Sequence, residues 1–229
     1  AWTPGAVPFR APEDTAVLLP AGSRLVVNIH YHPDPAGAQV DDTTAIEMKW
    51  FAGGSPAFRA ELKLEGNVTV PQDGGLGLQP GPDDGETPEF YIPAGASDHS
   101  ETMRIALNGG YADSRLWLVA THMHYVGVSQ RITVERGSGD PANECLIETP
   151  RWDFGWQRLY AYDVPLSDAP RLSPGDVIEL RCNYENTTDN PFVVQMLDEY
   201  NFNGPIDVGL GEHTLDEMCL SILGIATPL

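Results

Sequence analysis

The chain has 229 residues, 41% of them hydrophobic, which is enough apolar material for a sizeable core in one or two domains. Its formal net charge of −20, from 33 acidic against 13 basic residues, argues against nucleic acid or an anionic membrane surface as a partner. No apolar run approaches the roughly 18 residues that a membrane span needs.

Glycine (23) and proline (20) recur in turn signals such as Ser173-Pro174-Gly175-Asp176, which cut the chain into short segments. That pattern predicts an all-β sandwich, and no long stretch of helical periodicity interrupts it. Residues 1–22 read as coil; starting at Ala1 with neither an initiator Met nor a signal peptide, the chain reads as processed or as a fragment. Ser23 to Tyr31 then alternates as a strand, with Val26, Asn28, His30 and His32 on one face and Leu25, Val27, Ile29 and Tyr31 on the other. After a polar loop, Thr43 to Phe51 resumes as a strand, and a further sandwich starts near Ala60. Its first strands fall at 60–64, 67–70 and 90–92.

Between these, Pro71 to Glu89 is an acidic Gly/Pro-rich segment, read as a mobile surface loop. A calcium site from Asp83, Asp84 and Glu86 is the alternative to a plain solvated loop. His99, in the polar run Ser97–Ser100, reads as a surface residue. Residues 103–108 and 115–124 are expected as paired core strands, and 130–136 as another strand.

The apolar run Leu116-Trp117-Leu118-Val119 leads into His122-Met123-His124. On an extended strand, side chains at i and i+2 share a face, so the two imidazoles converge while Met123 points away. Such a pair is half of a metal site; the plainer alternative is two histidines hydrogen-bonded in the core. The aromatics of residues 145–157 read as scaffold, with Asp153 and Gln157 placed to orient ligand histidines from behind. Residues 177–183 form a strand carrying Cys182, and the final segment brings Met218 and the apolar strand 220–223. His213 reads as a loop histidine. Asn67-Val68-Thr69 and Asn186-Thr187-Thr188 match the glycosylation acceptor pattern, a signal common by chance. Three cysteines allow one internal disulfide and leave one thiol over.

His122-x-His124 followed by Tyr125 and Gly127, with Asp216-Glu217-Met218-Cys219 far downstream, resembles the second half of the copper type II ascorbate-dependent monooxygenases. This is the peptidylglycine alpha-hydroxylating and dopamine beta-monooxygenase-like family. The resemblance extends over nearly the whole chain, through the Ile29-His30-Tyr31 strand and the Arg181-Cys182 strand. It implies an antiparallel, jelly-roll-like β-sandwich over residues 53–229, preceded at 1–52 by the last strands of a first, electron-donor domain. Two strands are too few to bury both faces, so another chain, an upstream domain or the second sandwich is expected against residues 1–52.

By the resemblance His122, His124 and Met218 ligate an oxygen-binding copper and carry the catalysis. Two imidazoles and a soft thioether also suit a metal that cycles through Cu(I). His30 is then the candidate ligand of a second copper, whose other histidines have no counterpart in residues 1–29, while His32 has no assigned role. The family pairs Cys182 with Cys219, which leaves Cys145 as the odd thiol and implies an extracellular or periplasmic location. Ascorbate is the implied reductant, and a C–H bond of an unspecified small molecule the implied target. Where peptide-hydroxylating members hold a substrate carboxylate, this chain has Ala120, Leu220 and Ile222, so the pocket is expected to be apolar. The competing reading is a non-catalytic extracellular copper-binding or structural sandwich module.

Overall fold

In Val177–Tyr184 the residues Ile178, Leu180, Cys182 and Tyr184 are all buried, while those between them are at least partly solvated. This period of two is what one core-facing side of a sheet requires. A computed structural model describes residues 10–27, 29, 37, 40–85, 87–139 and 141–229. Their strands are β1 (Thr15–Val17), β2 (Phe58–Gly66), β3 (Pro71–Gln72), β4 (Leu76–Leu78), β5 (Tyr91–Ile92), β6 (His99–Ala106) and β7 (Ser114–His122). Then follow β8 (Gly127–Glu135), β9 (Asn143–Thr149), β10 (Tyr160–Ala161), β11 (Arg171–Leu172), β12 (Val177–Tyr184), β13 (Val208–Gly209) and β14 (Leu220–Pro228), with one helix, α1 (Pro191–Tyr200), after β12.

The expected all-β sandwich is what these strands build. One sheet runs β1-β2-β14-β7-β10, with β11 also on β7; the other runs β3-β4-β6-β12-β8-β9. Pairing is antiparallel except between β1 and β2. Leu116, Val119, Leu223 and Ile225 from the first sheet meet Met103, Ile132, Val134, Ile178 and Leu180 from the second in one buried cluster. Each such side chain removed from water contributes roughly 1.5–3 kcal/mol before entropy is counted. No described helix is long and apolar enough to cross a membrane.

Cys182 and Cys219 form the disulfide, with Cα atoms 5.8 Å apart. The bond ties β12 in one sheet to the residue just before β14 in the other. A bond of this kind is compatible with an oxidising compartment. Cys145, on β9, is unpaired and exposed.

Several expectations need correction. Residues 103–108 and 115–124 do not pair with each other: β6 lies between β4 and β12, while β7 lies between β14 and β10. The chain changes sheets between them through a 3-10 turn at Gly109–Tyr111, capped by Asn108. The described residues 23–27 and 43–51 form no strand and are exposed, Trp50 among them. Their alternation is strand-like, but among the described residues no neighbour offers the hydrogen bonds a strand needs. His30 and His32 lie outside the described residues. Residues 67–69 are coil, and the acidic segment contains the short hairpin β3–β4.

Helix α1 was not expected. Asn190 caps it by accepting from the Phe192 N–H, Pro191 opens it, and Asn201 ends it in the left-handed conformation. The acceptor pattern at Asn186 is not a surface site, because the residue is fully buried. Its amide donates to the carbonyls of Pro93 at 3.0 Å and Ile206 at 2.7 Å. Asn67 is also engaged, accepting from the Cys219 N–H at 2.9 Å.

The disulfide closes a loop with a sequence separation of 37. A Cys182→Ala/Cys219→Ala double variant should therefore lose roughly 4 kcal/mol in urea unfolding, by the loop-entropy relation. A loss below about 1 kcal/mol would show that the sheets are held in register without it.

Candidate metal centre

Strand β7 ends at His122, and the chain passes through Met123 and His124 into the turn that starts β8. Met123 is fully buried in the core, so the two histidines face the other side of the sheet. Their rings stand 5.2 Å apart, edge to face. The i, i+2 relation thus brings them together as expected.

Each ring is fixed from behind through its Nδ1. His122 Nδ1–H donates to Gln157 Oε1 at 2.8 Å, and the Gln157 amide is itself oriented by donating to the Phe154 carbonyl at 3.0 Å. His124 Nδ1–H donates to the Asp216 carbonyl at 2.8 Å. Both acceptors lack a proton to give, so each neutral ring carries its hydrogen on Nδ1 and its lone pair on Nε2. Burial, helped by the neighbouring His124, lowers the His122 pKa to about 4. Burial lowers His124 as well. At neutral pH both Nε2 atoms are therefore unprotonated, as a metal requires.

Gln157 takes the orienting role read from the sequence, and Asp153 does not: its Oδ1 accepts from the Gly155 N–H in a local turn. Trp152 donates its indole N–H to the His124 carbonyl at 3.0 Å and stands edge-on to the His122 ring. Phe154 stacks on Tyr125. Both aromatics are scaffold around the pair.

Met218 lies just before β14, the strand paired with β7. Leu220 is the Cα partner of His122, and Met218 lies two residues earlier, half-buried. Its carbonyl accepts from the Tyr184 hydroxyl at 3.0 Å. The residue that the sequence reading missed is its neighbour, Glu217. This fully buried carboxylate accepts the backbone N–H groups of His124, of Val126 at 3.2 Å and of Met218 at 2.7 Å. Burial pushes its pKa up to about 8, against the pull of the N–H donors. A buried acid in a motif beside a candidate ligand was the available signal, since such a group must find partners.

The loop before Met218 is equally constrained. The Asp216 side chain accepts from the His213 N–H, and a Cβ on Gly211 would fall 2.1 Å from Asp216 Oδ2. His213 is exposed. Ala120 and Ile222 are Cα partners, as are Leu220 and His122, so these apolar residues share the histidine face of the sheet. Leu64, 65% exposed and paired with Ile222, extends that surface. Arg131 is exposed on β8, where the alternate residues Gln130 and Ile132 face inward, and so points away from it.

His99 is not a surface residue but a buried one, bonded to Asp83 and Glu101. That engages Asp83 away from the calcium site considered with Asp84, and Glu86 lies outside the described residues. No group of three or more His, Cys, Asp or Glu converges as a metal site among the described residues. A site of two histidines and a methionine contains only two such residues.

The sequence matches no protein-family model and no curated protein. A solved structure of infectious bursal disease virus, Gx strain, is similar over 80% of this chain at 11% identity and a TM-score of 0.24. This chain spans 35% of that viral chain, and a likeness at this level carries no argument.

Two outcomes follow from this geometry. The unfolded chain takes up a proton on His122 below about pH 6.5, whereas the folded chain refuses it down to about pH 4. Stability should therefore fall as pH is lowered through that window, by at most roughly 3 kcal/mol from this ring. Urea unfolding at pH 7 and 4.5 should show a smaller acid loss in His122→Asn; equal losses would refute the assignment. Glu217→Ala leaves several buried N–H groups without an acceptor and should cost roughly 3 kcal/mol or more. Amide exchange at Val126 and Met218 should accelerate with it, and unchanged protection there would count against the role given to Glu217.

Proposed function

We propose that this chain is a copper-dependent monooxygenase subunit or domain, with copper held by His122, His124 and Met218. The observation that carries this reading is the fixed tautomer of both histidines: two neutral rings 5.2 Å apart, at and just past the end of β7, each with its Nδ1–H committed to a neutral acceptor. Copper bound there supplies the redox chemistry by which dioxygen hydroxylates a C–H bond. One oxygen atom enters the substrate, the other leaves as water, and a reductant such as ascorbate provides two electrons.

What the chain's own residues contribute can be derived separately. Gln157 and the Asp216 carbonyl hold the imidazoles in the metal-binding tautomer and keep them basic toward metal. The Met218 thioether, a soft donor, favours the Cu(I) state. Leu64, Leu220 and Ile222 offer a substrate an apolar surface beside His122. A free carboxylate placed against that surface would lose its hydration with no cation to replace it. The substrate favoured here is therefore an uncharged, apolar C–H donor rather than a peptide terminus. An extracellular or periplasmic setting supports the same reading, since both the disulfide and ascorbate chemistry suit it.

Loading the metal-free chain should give about one Cu(I) per chain by metal analysis, held against a chromogenic chelator. Gln157→Leu should weaken binding roughly ten- to hundredfold, because the His122 ring is no longer oriented. Met218→Ile should weaken Cu(I) more than Cu(II) and leave the circular dichroism spectrum unchanged, since the two side chains are close in volume. Absence of stoichiometric copper, or affinity indifferent to both substitutions, would end this reading. Tight copper binding with no oxygen consumption under ascorbate and a range of apolar substrates would favour a non-catalytic copper module instead.

A further inference from the structure

Away from the histidine pair, acidic groups gather where residues 81–84 meet the start of β6. His99, 2% exposed, lies between two carboxylates: Nδ1 is 3.0 Å from Asp83 Oδ2 and Nε2 is 2.8 Å from Glu101 Oε1. Burial alone would lower its pKa, but the bonds to Glu101 and Asp83 outweigh it and raise it. A carboxylate oxygen at each nitrogen favours the charged ring over the neutral one.

These contacts use one oxygen of Glu101 and leave the other. Oε1 also accepts from the Tyr91 N–H at 3.3 Å. Oε2 has no hydrogen-bond partner although Glu101 is fully buried. An orphan carboxylate oxygen in the interior costs several kcal/mol unless something answers it. It does not face hydrocarbon. Measured from the position a Cβ would take on Gly81, Asp84 Oδ2 lies at 3.4 Å, the Ser100 carbonyl oxygen at 3.5 Å and Glu101 Oε2 at 3.6 Å. The missing side chain of Gly81 thus leaves a gap onto which three oxygens converge.

The Asp84 carboxylate is held in place there: Oδ2 accepts from the Gly81 N–H at 2.6 Å and Oδ1 from the Glu89 N–H at 3.1 Å. Glu101 is raised above the ordinary carboxyl range by burial, and repulsion from Asp84 adds to it. Three carboxyl groups, of Asp83, Asp84 and Glu101, gather around one imidazole, so acidic groups outnumber basic ones there.

We propose that Asp84 Oδ2, Glu101 Oε2 and the Ser100 carbonyl form a calcium site. All three donors are hard oxygens, two of them anionic, and water completes the six to eight oxygens Ca²⁺ takes at about 2.3–2.6 Å. The ion offsets the excess of acidic groups and answers Oε2. It also fastens the later part of the acidic segment, around residues 81–89, to β6, and so to the core of the second sheet. The site holds no imidazole or sulfur donor, which separates it chemically from the histidine pair.

Calorimetric titration of the metal-free chain with CaCl₂ tests this. One site is expected with a Kd of roughly 10⁻⁴–10⁻³ M, and a Tm raised by about 5 °C at hundredfold excess over that Kd. Asp84→Asn should abolish both effects; because its single amide oxygen can replace only one of the two acceptors of the Gly81 and Glu89 N–H groups, Gly81→Ala is the variant that keeps this turn. Gly81→Ala should do the same by filling the gap, its Cβ making ordinary contacts at 3.4–3.6 Å. No calcium-dependent heat or Tm shift in the wild type overturns the proposal. So does a shift that both variants retain, which would report diffuse binding to an acidic surface.

Discussion

The buried carboxylate of Glu217 is the constraint from which the histidine centre takes its shape. It accepts N–H groups from the turn after β7 and from its own neighbour Met218, which lie more than ninety residues apart in sequence. Turns at the end of a strand leave backbone donors unpaired, and in the interior each must be answered. One side chain answers several at once, and so fixes His124 and Met218 to a common point. The adjacent Cys219 then binds this unit to the opposite sheet through Cys182. The two motifs form a single rigid object rather than two loops that happen to meet.

Two environments of this molecule drive histidine toward opposite charge states. His122 and His124 meet only neutral acceptors in a desolvated setting, so each keeps one proton and a low affinity for a second. His99 is buried at least as deeply, yet has a carboxylate oxygen at each nitrogen, which raises its affinity for a second proton. Burial decides the first case, and the two carboxylates facing His99 outweigh it in the second. The first arrangement leaves a lone pair for a metal, and the second favours the ring as a buried cation.

The features legible in the sequence were those carried by short-range pattern. Alternation found the strand at 177–183 and the apolar strand from Leu220, and the i, i+2 spacing placed His122 and His124 on one face. The disulfide was legible only through family resemblance, because three cysteines alone permit three pairings. What failed depended on neighbours distant in the chain. Residues 43–51 alternate as a strand should, but alternation cannot supply a partner. His99 sits in a polar tetrapeptide, and only the sheet shows that Asp83 and Glu101 enclose it. The pairing of β6 and β7 was misjudged because consecutive strands often pair, whereas here the chain steps between sheets at Asn108. Helix α1 carried its own signals, Asn190-Pro191 at the start and Asn201 at the end, in a window too short for periodicity to register.

The Asn186 amide has a bearing on how the protein can be made. In a eukaryotic secretory pathway, acceptor tripeptides are modified while the chain is still extended, before burial can hide them. An oligosaccharide attached there would occupy the volume in which the Asn186 amide meets the Pro93 and Ile206 carbonyls. Chains that acquired it could not close the junction between β5, the end of β12 and the approach to β13. Quality control would then sort the population by sugar occupancy, and the secreted fraction would be bare at this position. A bacterial host, or an Asn186-Thr187-Thr188 tripeptide disabled at Thr188 rather than at Asn186, avoids that partition without disturbing the amide.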